Sequence, residues 1–219
     1  MNPRVRFAPS PTGQLHIGGV RTALFNYTFA KKFNGSFLLR IEDTDKERSK
    51  EEYTEQILES MKWLGFEYEG EPLKQSSRFR RYKEVINHLL KTGNAYRCFA
   101  SSEELQNIRE DSGSYLYPRL WRDKSKEEVE SKILNKDEYT IRMRIPLKGD
   151  INFDDLVYGK INTDCSELDD FIIARSDGSP TYNLTVVVDD NDMNISHVIR
   201  GEDHISNTPK QMLIYKALG

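Results

Sequence analysis

The sequence predicts an α/β fold in which a sheet domain is interrupted by an α+β insertion at about residues 100 to 175. Strand and helix patterns alternate through the first hundred residues, which is typical of a layered α/β architecture. After residue 100 the pattern changes to short charged helices followed by an alternating strand. We therefore expect residues 1–99 and 176–219 to form the sheet domain, incomplete at its end, and residues 100–175 to form the insertion.

The first elements have the pattern of a strand, a helix and a second strand. Val5 to Ala8 predicts a short strand that ends in a Pro-Ser-Pro-Thr-Gly loop. Gly18 to Lys31 carries apolar residues at helical spacing and predicts a helix. Phe37 to Ile41 is a short apolar run interrupted by Arg40, and it suits a strand that is buried on both faces.

Two further helices and a strand complete the first part of the chain. Ser49 and Glu52 have the spacing of a capping box, and the helix that they open ends at Gly65. The next helical pattern runs from Phe79 to Leu90. A strand is predicted from Ala95 to Phe99.

The insertion and the return to the sheet domain show different signals. Capping boxes at Ser101/Glu104 and Ser125/Glu128 predict short helices, and residues 139 to 145 alternate like a strand. Asp177-Gly178 predicts a hairpin turn between strands at 171–175 and 182–188. The last helix is predicted to begin at Thr208-Pro209, with Gln211 completing a capping box.

The composition excludes several classes of protein. With 13 Gly, 8 Pro and 37% apolar residues in 219, collagen-like and low-complexity sequence is excluded and a core can form. No apolar run approaches the roughly 18 residues of a membrane-spanning helix, and no apolar signal-peptide core follows Met1. Two cysteines, Cys98 and Cys165, are too few for a disulfide framework or a four-ligand zinc site. We expect a soluble cytoplasmic protein.

The net charge of -3 hides an uneven distribution. From Lys74 to Lys148 there are 17 basic and 11 acidic residues, a net of +6, so the remainder of the chain carries a net of -9. A basic middle third can meet a polyanion such as a nucleic acid. On charge alone, chance clustering on a solvated surface is the commoner explanation.

The loop from Arg6 to Gly19 lies between a strand and a helix, where α/β proteins hold nucleotides. Gly13, Gly18 and Gly19 allow a ligand to approach the backbone, and a helix N-terminus favours an anion. His16 can donate a hydrogen bond to a phosphoryl oxygen as charge develops there. The alternative is a tight turn with a surface histidine.

The loop and several later segments together resemble the glutamyl-tRNA synthetase family of class I aminoacyl-tRNA synthetases. The nucleotide-binding signature of that class is matched by His16-Ile17-Gly18-Gly19. The other matching segments are Arg6 to Gly13, Arg21 to Asn26, Arg40 to Asp45, Lys62 to Gly65, Pro180 to Tyr182, Val187 to Asp190 and Val198 to His204. They occur in the order of the family, so chance does not explain them, whereas one motif alone would be weak support.

The resemblance implies a Rossmann-like catalytic domain interrupted by an insertion that binds the tRNA acceptor stem. It also implies ligation of L-glutamate to tRNA(Glu) in translation, through a glutamyl-adenylate made from ATP with Mg²⁺, and we expect a monomer. Within the signature, His16 and the backbone of Gly18 and Gly19 match residues that the family uses in catalysis and in ATP binding. Further ATP-site matches are Glu202, Asp203 and His204, although capping or surface roles are as common for Asp203 and His204.

The glutamate pocket implied by the family contains both charges that the substrate requires. Glutamate has one cationic and two anionic groups, so the pocket needs a carboxylate and at least one guanidinium. The matching residues are Arg6, Ala8, Ser10, Glu42, Tyr182 and Arg200. The alternative for the arginines is an ordinary ion pair, for example with Glu42. Asp43 and Asp45 are equally suited to loop caps, and Asp189-Asp190 to a strand-end turn.

The basic middle of the chain is placed in the acceptor-stem insertion by the resemblance. Candidate phosphate contacts are Arg78, Arg80, Arg81, Arg119, Arg122, Arg142 and Arg144. Tyr115, Tyr117 and Trp121 are candidate stacking surfaces for the single-stranded 3′ end, or they fill the small core of the insertion.

The sequence departs from the family in two places. Some members carry a zinc ion in the insertion, but here Cys98 stands alone and the segment Tyr117 to Arg122 offers neither Cys nor His, so we expect no zinc. The second signature of the family, a lysine-rich loop, is expected after the last helix, and nothing follows Gly219. We therefore expect a fragment of a longer enzyme, which alone activates glutamate poorly or not at all.

Three other functions compete with this interpretation. A short paralogue glutamylates queuosine in tRNA(Asp), but Arg21 to Leu24 and Gly201 to His204 follow the full-length enzyme. A glutaminyl-tRNA synthetase is disfavoured because Ala8 to Ser10 and Ile41 to Asp45 follow the glutamyl pattern. A catalytically silent tRNA-binding module is the third. A coding sequence that continues into a lysine-serine-lysine loop would favour the synthetase, and whether glutamine tRNA is also charged stays open.

Overall fold

The computed structural model describes residues 2–219 and divides into two compact units, Met1–Arg80 with Val188–Ile205 and Arg81–Val187 with Ser206–Gly219. The strands are β1 (Arg4–Phe7), β2 (Ser36–Ile41), β3 (Leu73–Lys74), β4 (Ala95–Cys98), β5 (Thr140–Met143), β6 (Asp150–Asp155), β7 (Gly159–Asp164) and β8 (Ile172–Ala174). The helices are α1 (Ile17–Lys32), α2 (Glu51–Trp63), α3 (Phe79–Lys91), α4 (Ser102–Ser112), α5 (Lys126–Leu134), α6 (Tyr182–Asp192) and α7 (Thr208–Leu218).

The first unit is built on a parallel sheet of order β1-β2-β3, with Arg6 paired to Leu38. One face of this sheet is apolar because alternate strand residues point to the same side. Its core is formed by Val5, Phe7, Phe37, Leu39 and Ile41 with Ala23 and Ala30 of α1 and Ile57 and Met61 of α2. The predicted strand, helix, strand unit is therefore present, and it buries one face completely.

The opposite face of the same sheet carries charge. Arg6 is paired with Leu38, and Leu38 and Arg40 are two residues apart, so all three side chains share one face. Glu42 follows β2 by one residue and continues the alternation. Arg6 and Arg40 are both buried, at 4% and 0% exposure. The two-sided burial predicted for β2 is correct, but its second face is ionic.

The second unit contains an antiparallel sheet of order β4-β5-β8 and a hairpin of β6 and β7. Ala95 of β4 pairs with Met143 of β5, so β4 belongs to the same sheet as strands of the predicted insertion. The compact units therefore divide the chain at positions other than the predicted domain limits at 99/100 and 175/176. The predicted limit at 99/100 separates β4 from β5, its hydrogen-bonded neighbour, and the domain limits stay a prediction.

The strand predicted at 182–188 is wrong, because these residues form the first part of α6. The turn before it is present: Gly178 has a φ of 82°, and the N–H of Arg175 donates to the carbonyl of Ser179 at 2.8 Å. Residues 184 to 190 are all buried, so no amphipathic period marks the helix. A short, fully buried apolar run cannot be assigned to strand or helix by periodicity.

The structure has some of the predicted helix caps and differs at others. The capping box of Ser125 and Glu128 is confirmed. The box at Ser49 is wrong, since α2 has Lys50 at its N-cap with no side-chain cap. The N-cap of α7 is Asn207 rather than the predicted Thr208, and the Gln211 amide donates to Oδ1 of Asn183 at 3.1 Å.

A glycine with a left-handed backbone follows α2. Gly65 has a φ of 71°, and a Cβ added there would meet no neighbouring atom. Gly65→Ala is therefore expected to lower the free energy of unfolding through backbone strain alone, by about 1–2 kcal/mol. Gly13→Ala is the matched control, because Gly13 has equally open space without a left-handed φ. Equal urea midpoints for the two variants would contradict the assignment of strain to Gly65.

Candidate active site

The start of α1 holds His16 in a defined orientation. His16 is the N-cap residue, with extended backbone angles of -100° and 168°, and its Nδ1 accepts a hydrogen bond from the N–H of Gly18 at 3.1 Å. Because Nδ1 is the acceptor, the neutral ring carries its proton on Nε2. The side chain is exposed. Nε2–H is therefore the group that His16 presents to a ligand.

The two glycines after His16 allow this close packing. A Cβ on Gly18 would lie 2.9 Å from the ring of His16, and a Cβ on Gly19 would lie 2.7 Å from Cδ1 of Leu15. The first turn of α1 has no acidic residue, so its partial positive charge is not offset locally. These residues fit an anionic group such as a phosphate at the N-terminus of the helix.

The charged face of the first sheet is organised by Asp190, which is 2% exposed in α6. Nε and Nη2 of Arg6 donate to its Oδ1 and Oδ2 at 2.8 and 3.1 Å. Nη1 of Arg40 donates to the same Oδ1 at 2.5 Å, and its Nη2 donates to Oε1 of Glu42 at 3.1 Å. Four alternating charges, Arg6, Asp190, Arg40 and Glu42, thus form one buried network.

The network shifts the titration of both carboxylates. Burial alone would raise the pKa of Asp190, but Arg6 and Arg40 hold that pKa below its usual range. Burial raises the pKa of Glu42, although Arg40 and Arg6 oppose the shift. Two guanidiniums donate hydrogen bonds to Asp190 and stabilise it as an anion, whereas the hydrogen bond to Glu42 within the network comes from Arg40 alone. An added cation beside Glu42 would therefore favour its ionised form.

The structure brings most of the predicted glutamate contacts to one end of β1 and β2. The N–H of Glu42 donates to the carbonyl of Pro9 at 2.9 Å, so the loop from Ala8 to Ser10 runs beside Glu42. Ser10 is exposed and Ala8 half-buried. Arg200 lies in the first unit with these residues, whereas Tyr182 begins α6 in the second unit.

The remaining predicted ATP contacts lie on a short 3₁₀ turn, Glu202–Asn207. Nε2 of His204 is 3.5 Å from a carboxylate oxygen of Asp203. Burial lowers the pKa of His204; Asp203 opposes the shift, whereas Arg200 adds to it. Glu202 and Asp203 are exposed. Their part in ATP binding stays a prediction.

Four acidic residues have roles that the sequence does not decide, and the structure divides them into two kinds. Asp43 and Asp45 act as caps: Asp43 accepts from the N–H of Ser76 at 2.8 Å, and Asp45 from the N–H of Arg48 at 3.1 Å. Asp189 and Asp190 are not in a strand-end turn, because both are buried in α6. The role of Asp190 was missed, and Arg40 inside an apolar run was the one signal for it.

Two of the arginines predicted to contact phosphate, Arg122 and Arg142, instead contact other groups of the protein. Asp170 of the second unit, 0% exposed, accepts from Arg122 at 2.7 Å and from the Tyr96 hydroxyl at 2.8 Å. Arg142 is 6% exposed, and its guanidinium lies 3.7 Å from the ring centroid of Tyr117. The phosphate contact predicted for Arg142 is therefore wrong, since its side chain lies in the core. Tyr117 also lies in the core, which is the second of the two roles left open for it.

The other basic candidates vary in their accessibility. Arg119 donates to the carbonyl of Leu168 at 2.9 Å, and Arg144 to Asp123 at 2.7 Å. Nε of Arg78 donates to Asp189 at 2.7 Å, within the first unit. Arg80 and Arg81 are exposed near the start of α3. Tyr115 is exposed as well, whereas Trp121 packs against the small core of the insertion.

Cys98 lies beside a hydroxyl group, with its Sγ 3.1 Å from the hydroxyl oxygen of Tyr117. Across residues 2–219, no group of three or more His, Cys, Asp or Glu is placed to hold a metal ion. The absence of zinc stays a prediction. None of the helices in the described part of the chain is long and apolar enough to cross a membrane.

Comparison with known proteins identifies relatives of the chain. A glutamate–tRNA ligase of Coprothermobacter proteolyticus is 54% identical over 221 residues, covering 99% of the chain and 47% of that protein. A glutamate–tRNA ligase of Lawsonia intracellularis is 53% identical over 214 residues, covering 98% and 45%. The chain thus spans about half the length of these relatives.

A solved structure and a family model agree with these relatives. The structure of a glutamate tRNA ligase from Elizabethkingia meningosepticum, in complex with its amino acid, has a TM-score of 0.93 at 39% identity and covers 100% of the chain and 47% of that protein. The predicted Rossmann-like synthetase fold is confirmed. The model for the catalytic domain of class I tRNA synthetases (E and Q) matches residues 3–219, and the chain therefore belongs to that family.

Proposed function

We propose that this chain provides the amino-acid activation site for ATP-dependent ligation of L-glutamate to tRNA(Glu). One observation carries the proposal: a buried guanidinium, Arg6, and a partly buried carboxylate, Glu42, are held in one network at the ends of the adjacent strands β1 and β2. Opposite charges at fixed positions suit an amino acid that has both an ammonium and carboxylates. We expect this activity in the cytoplasm, in a monomer.

Adenylate formation requires little proton chemistry from the protein. The α-carboxylate of glutamate is already ionised, and it attacks the α-phosphorus of ATP as the bond to pyrophosphate breaks. Negative charge on the phosphoryl oxygens then needs donors in fixed positions. Nε2–H of His16 and the N-terminus of α1 are such donors. Mg²⁺ accompanies ATP and neutralises phosphate charge, with most of its ligands supplied by phosphate and water.

The amino-acid end of the site supports selection of a charged substrate. A substrate ammonium beside Glu42 would place a further cation next to this carboxylate, and so would lower its raised pKa. Arg6 and Arg200 are the proposed partners of the substrate carboxylates, and either can serve the α- or the γ-carboxylate. Ser10 lies in the loop that passes Glu42.

A tRNA acceptor stem is the proposed partner of the basic middle of the chain. Its support is the net charge of +6 between Lys74 and Lys148 together with the exposed side chains of Arg80, Arg81 and Tyr115. Phosphate contacts position a nucleic acid, and an exposed aromatic ring can stack on an unpaired base. Arg119, Arg122 and Arg144 are less exposed than Arg80 and Arg81 and are weaker candidates.

Binding of adenylate analogues tests the proposed activity without requiring turnover. Sulfamoyl-adenosine analogues of glutamyl-, glutaminyl- and aspartyl-adenylate would be titrated into the chain by calorimetry. We expect the glutamyl analogue to bind about 10–100-fold more tightly than the glutaminyl analogue, because an amide forfeits a charged hydrogen bond worth about 1.5–3 kcal/mol. Equal binding of all three, or no binding, would contradict the proposal.

A further inference from the structure

We propose that Asp190 is a positioning residue for the amino-acid site, which fixes the orientation of Arg6 and, through Arg40, that of Glu42. The inference rests on the proposed function, since it assigns Arg6 to a substrate carboxylate and Glu42 to the substrate ammonium. Asp190 itself touches neither group of the substrate in this proposal. Its role is to hold both recognition side chains before the substrate arrives.

The geometry of Arg6 is the first support. Asp190 accepts hydrogen bonds from one edge of the Arg6 guanidinium, formed by Nε and Nη2, at 2.8 and 3.1 Å. A guanidinium has five N–H donors in a rigid fork, so fixing this edge leaves the Nη1 donors pointing in one defined direction. The long side chain of Arg6 is 4% exposed and therefore has little room for other rotamers. A bidentate pair on one edge thus presents the other edge to a carboxylate.

The second support is the link to Glu42. Arg40 is fully buried, and it connects the same Oδ1 of Asp190 at 2.5 Å to Oε1 of Glu42 at 3.1 Å. Arg6 and Arg40 carry two positive charges, while Asp190 and Glu42 carry two negative charges when ionised. Loss of the Asp190 charge would leave one uncompensated cation in the network, and Arg40 would compete with the substrate ammonium for Glu42. Both ends of the amino-acid site therefore depend on one carboxylate.

The neighbouring residue provides a matched control. Asp189 is 0% exposed in the same helix, and it accepts from Nε2 of Gln75 at 2.6 Å and from Nε of Arg78 at 2.7 Å. It is an equally buried carboxylate with an arginine partner, but these contacts do not join Arg6, Arg40 or Glu42. Asp189 acts on Arg40 through its charge, but a change at Asp189 keeps the hydrogen bonds of Asp190 to Arg6 and Arg40. It therefore reproduces the structural cost of losing a buried charge while the proposed positioning contacts stay in place.

The test compares Asp190→Asn with Asp189→Asn in the whole chain. Dissociation constants for L-glutamate and for ATP would be measured by calorimetry, with thermal unfolding recorded for each protein. Asp190→Asn is expected to weaken L-glutamate binding about 10–100-fold, the loss of one well-placed charged hydrogen bond. ATP binding should change less than about twofold, and Asp189→Asn should leave the affinity for L-glutamate within about threefold.

The outcomes separate this inference from the proposed function. If the unaltered chain binds no L-glutamate, the proposed function fails and the inference fails with it. If the unaltered chain binds L-glutamate and Asp190→Asn binds it equally well, the inference alone fails. Equal weakening of L-glutamate and ATP binding would show a general structural defect and would also overturn it.

If Asp190→Asn does not fold, the orientation of Arg6 can be tested in the protein without that substitution. The Nε–H signal of Arg6 would be observed in ¹⁵N-arginine-labelled protein and assigned by its loss in Arg6→Lys. We expect slow exchange of this proton with solvent both before and after L-glutamate is added, because Asp190 already holds it. Rapid exchange that becomes slow only with L-glutamate would mean that the substrate orders Arg6, and the inference would be wrong.

Discussion

Replacing Asp170 by alanine is expected to destabilise the second unit by about 3–5 kcal/mol, the usual cost of removing one partner from a buried ion pair. Asp170 is fully buried and accepts from Arg122, from Tyr96 and from the N–H of Ile145 at 2.7, 2.8 and 3.2 Å. Without it, a guanidinium and a phenol in the interior lose their common acceptor. Few single substitutions in this chain would leave as many donors unsatisfied.

Urea unfolding with tryptophan fluorescence would measure this loss. The chain has two tryptophans, and Trp121 packs against the core of Tyr96, Cys98 and Tyr117, so a Trp63→Phe background makes it the reporter of the second unit. Asp123→Ala is the control, because Asp123 also pairs with an arginine but is largely exposed. It should leave the midpoint nearly unchanged. Similar midpoints for both variants would contradict the importance of burial.

Replacing His16 by alanine is expected to slow glutamyl-adenylate formation about 10²–10³-fold, the usual cost of removing one donor aimed at developing negative charge. The orientation of the ring explains the size of the effect. Nδ1 is occupied by the N–H of Gly18, which leaves Nε2–H as the outward donor. The rate would be measured in single turnovers with protein in excess of labelled ATP, so that slow formation stays observable.

Two further variants separate the chemistry of His16 from its role as a helix cap. His16→Asn keeps a side-chain acceptor for the N–H of Gly18, and Asn is a preferred N-cap residue, so stability should be retained while the rate stays at least about tenfold low. His88→Ala removes an exposed imidazole from α3 and should have no effect on the rate. A wild-type rate for His16→Asn would contradict the proposed donor.

Local patterns predicted the part of the site that lies in consecutive residues. The run from β1 through the His16 loop to β2 was predictable because its strands, its glycines and its helix each leave a local pattern. Asp190 was not predictable in the same way. It meets Arg6 and Arg40 across 184 and 150 residues of sequence, and two acidic residues after a valine run resemble the end of a strand.

The prediction for Arg142 of β5 was wrong for a different reason. Arg142 alternates with Ile141 and Met143, and alternation normally places the polar residue in solvent. Here Tyr117 covers that face and stacks on the guanidinium, whose Nη1 donates to the carbonyl of Asp170 at 2.8 Å. A loop that covers a sheet leaves no periodic signal in the strand, so the burial of Arg142 followed only from tertiary structure.

The pairing of β4 with β5 determines which segments of this chain can be removed or exchanged with those of another synthetase. Excision of residues 100–175, the insertion suggested by sequence, would remove β5 and β8 and leave β4 without any hydrogen-bonded neighbour. An exposed strand edge with apolar residues such as Ala95 and Cys98 is a template for aggregation. A graft between synthetases should instead exchange the three strands together, with junctions outside Ala95 and Ala174.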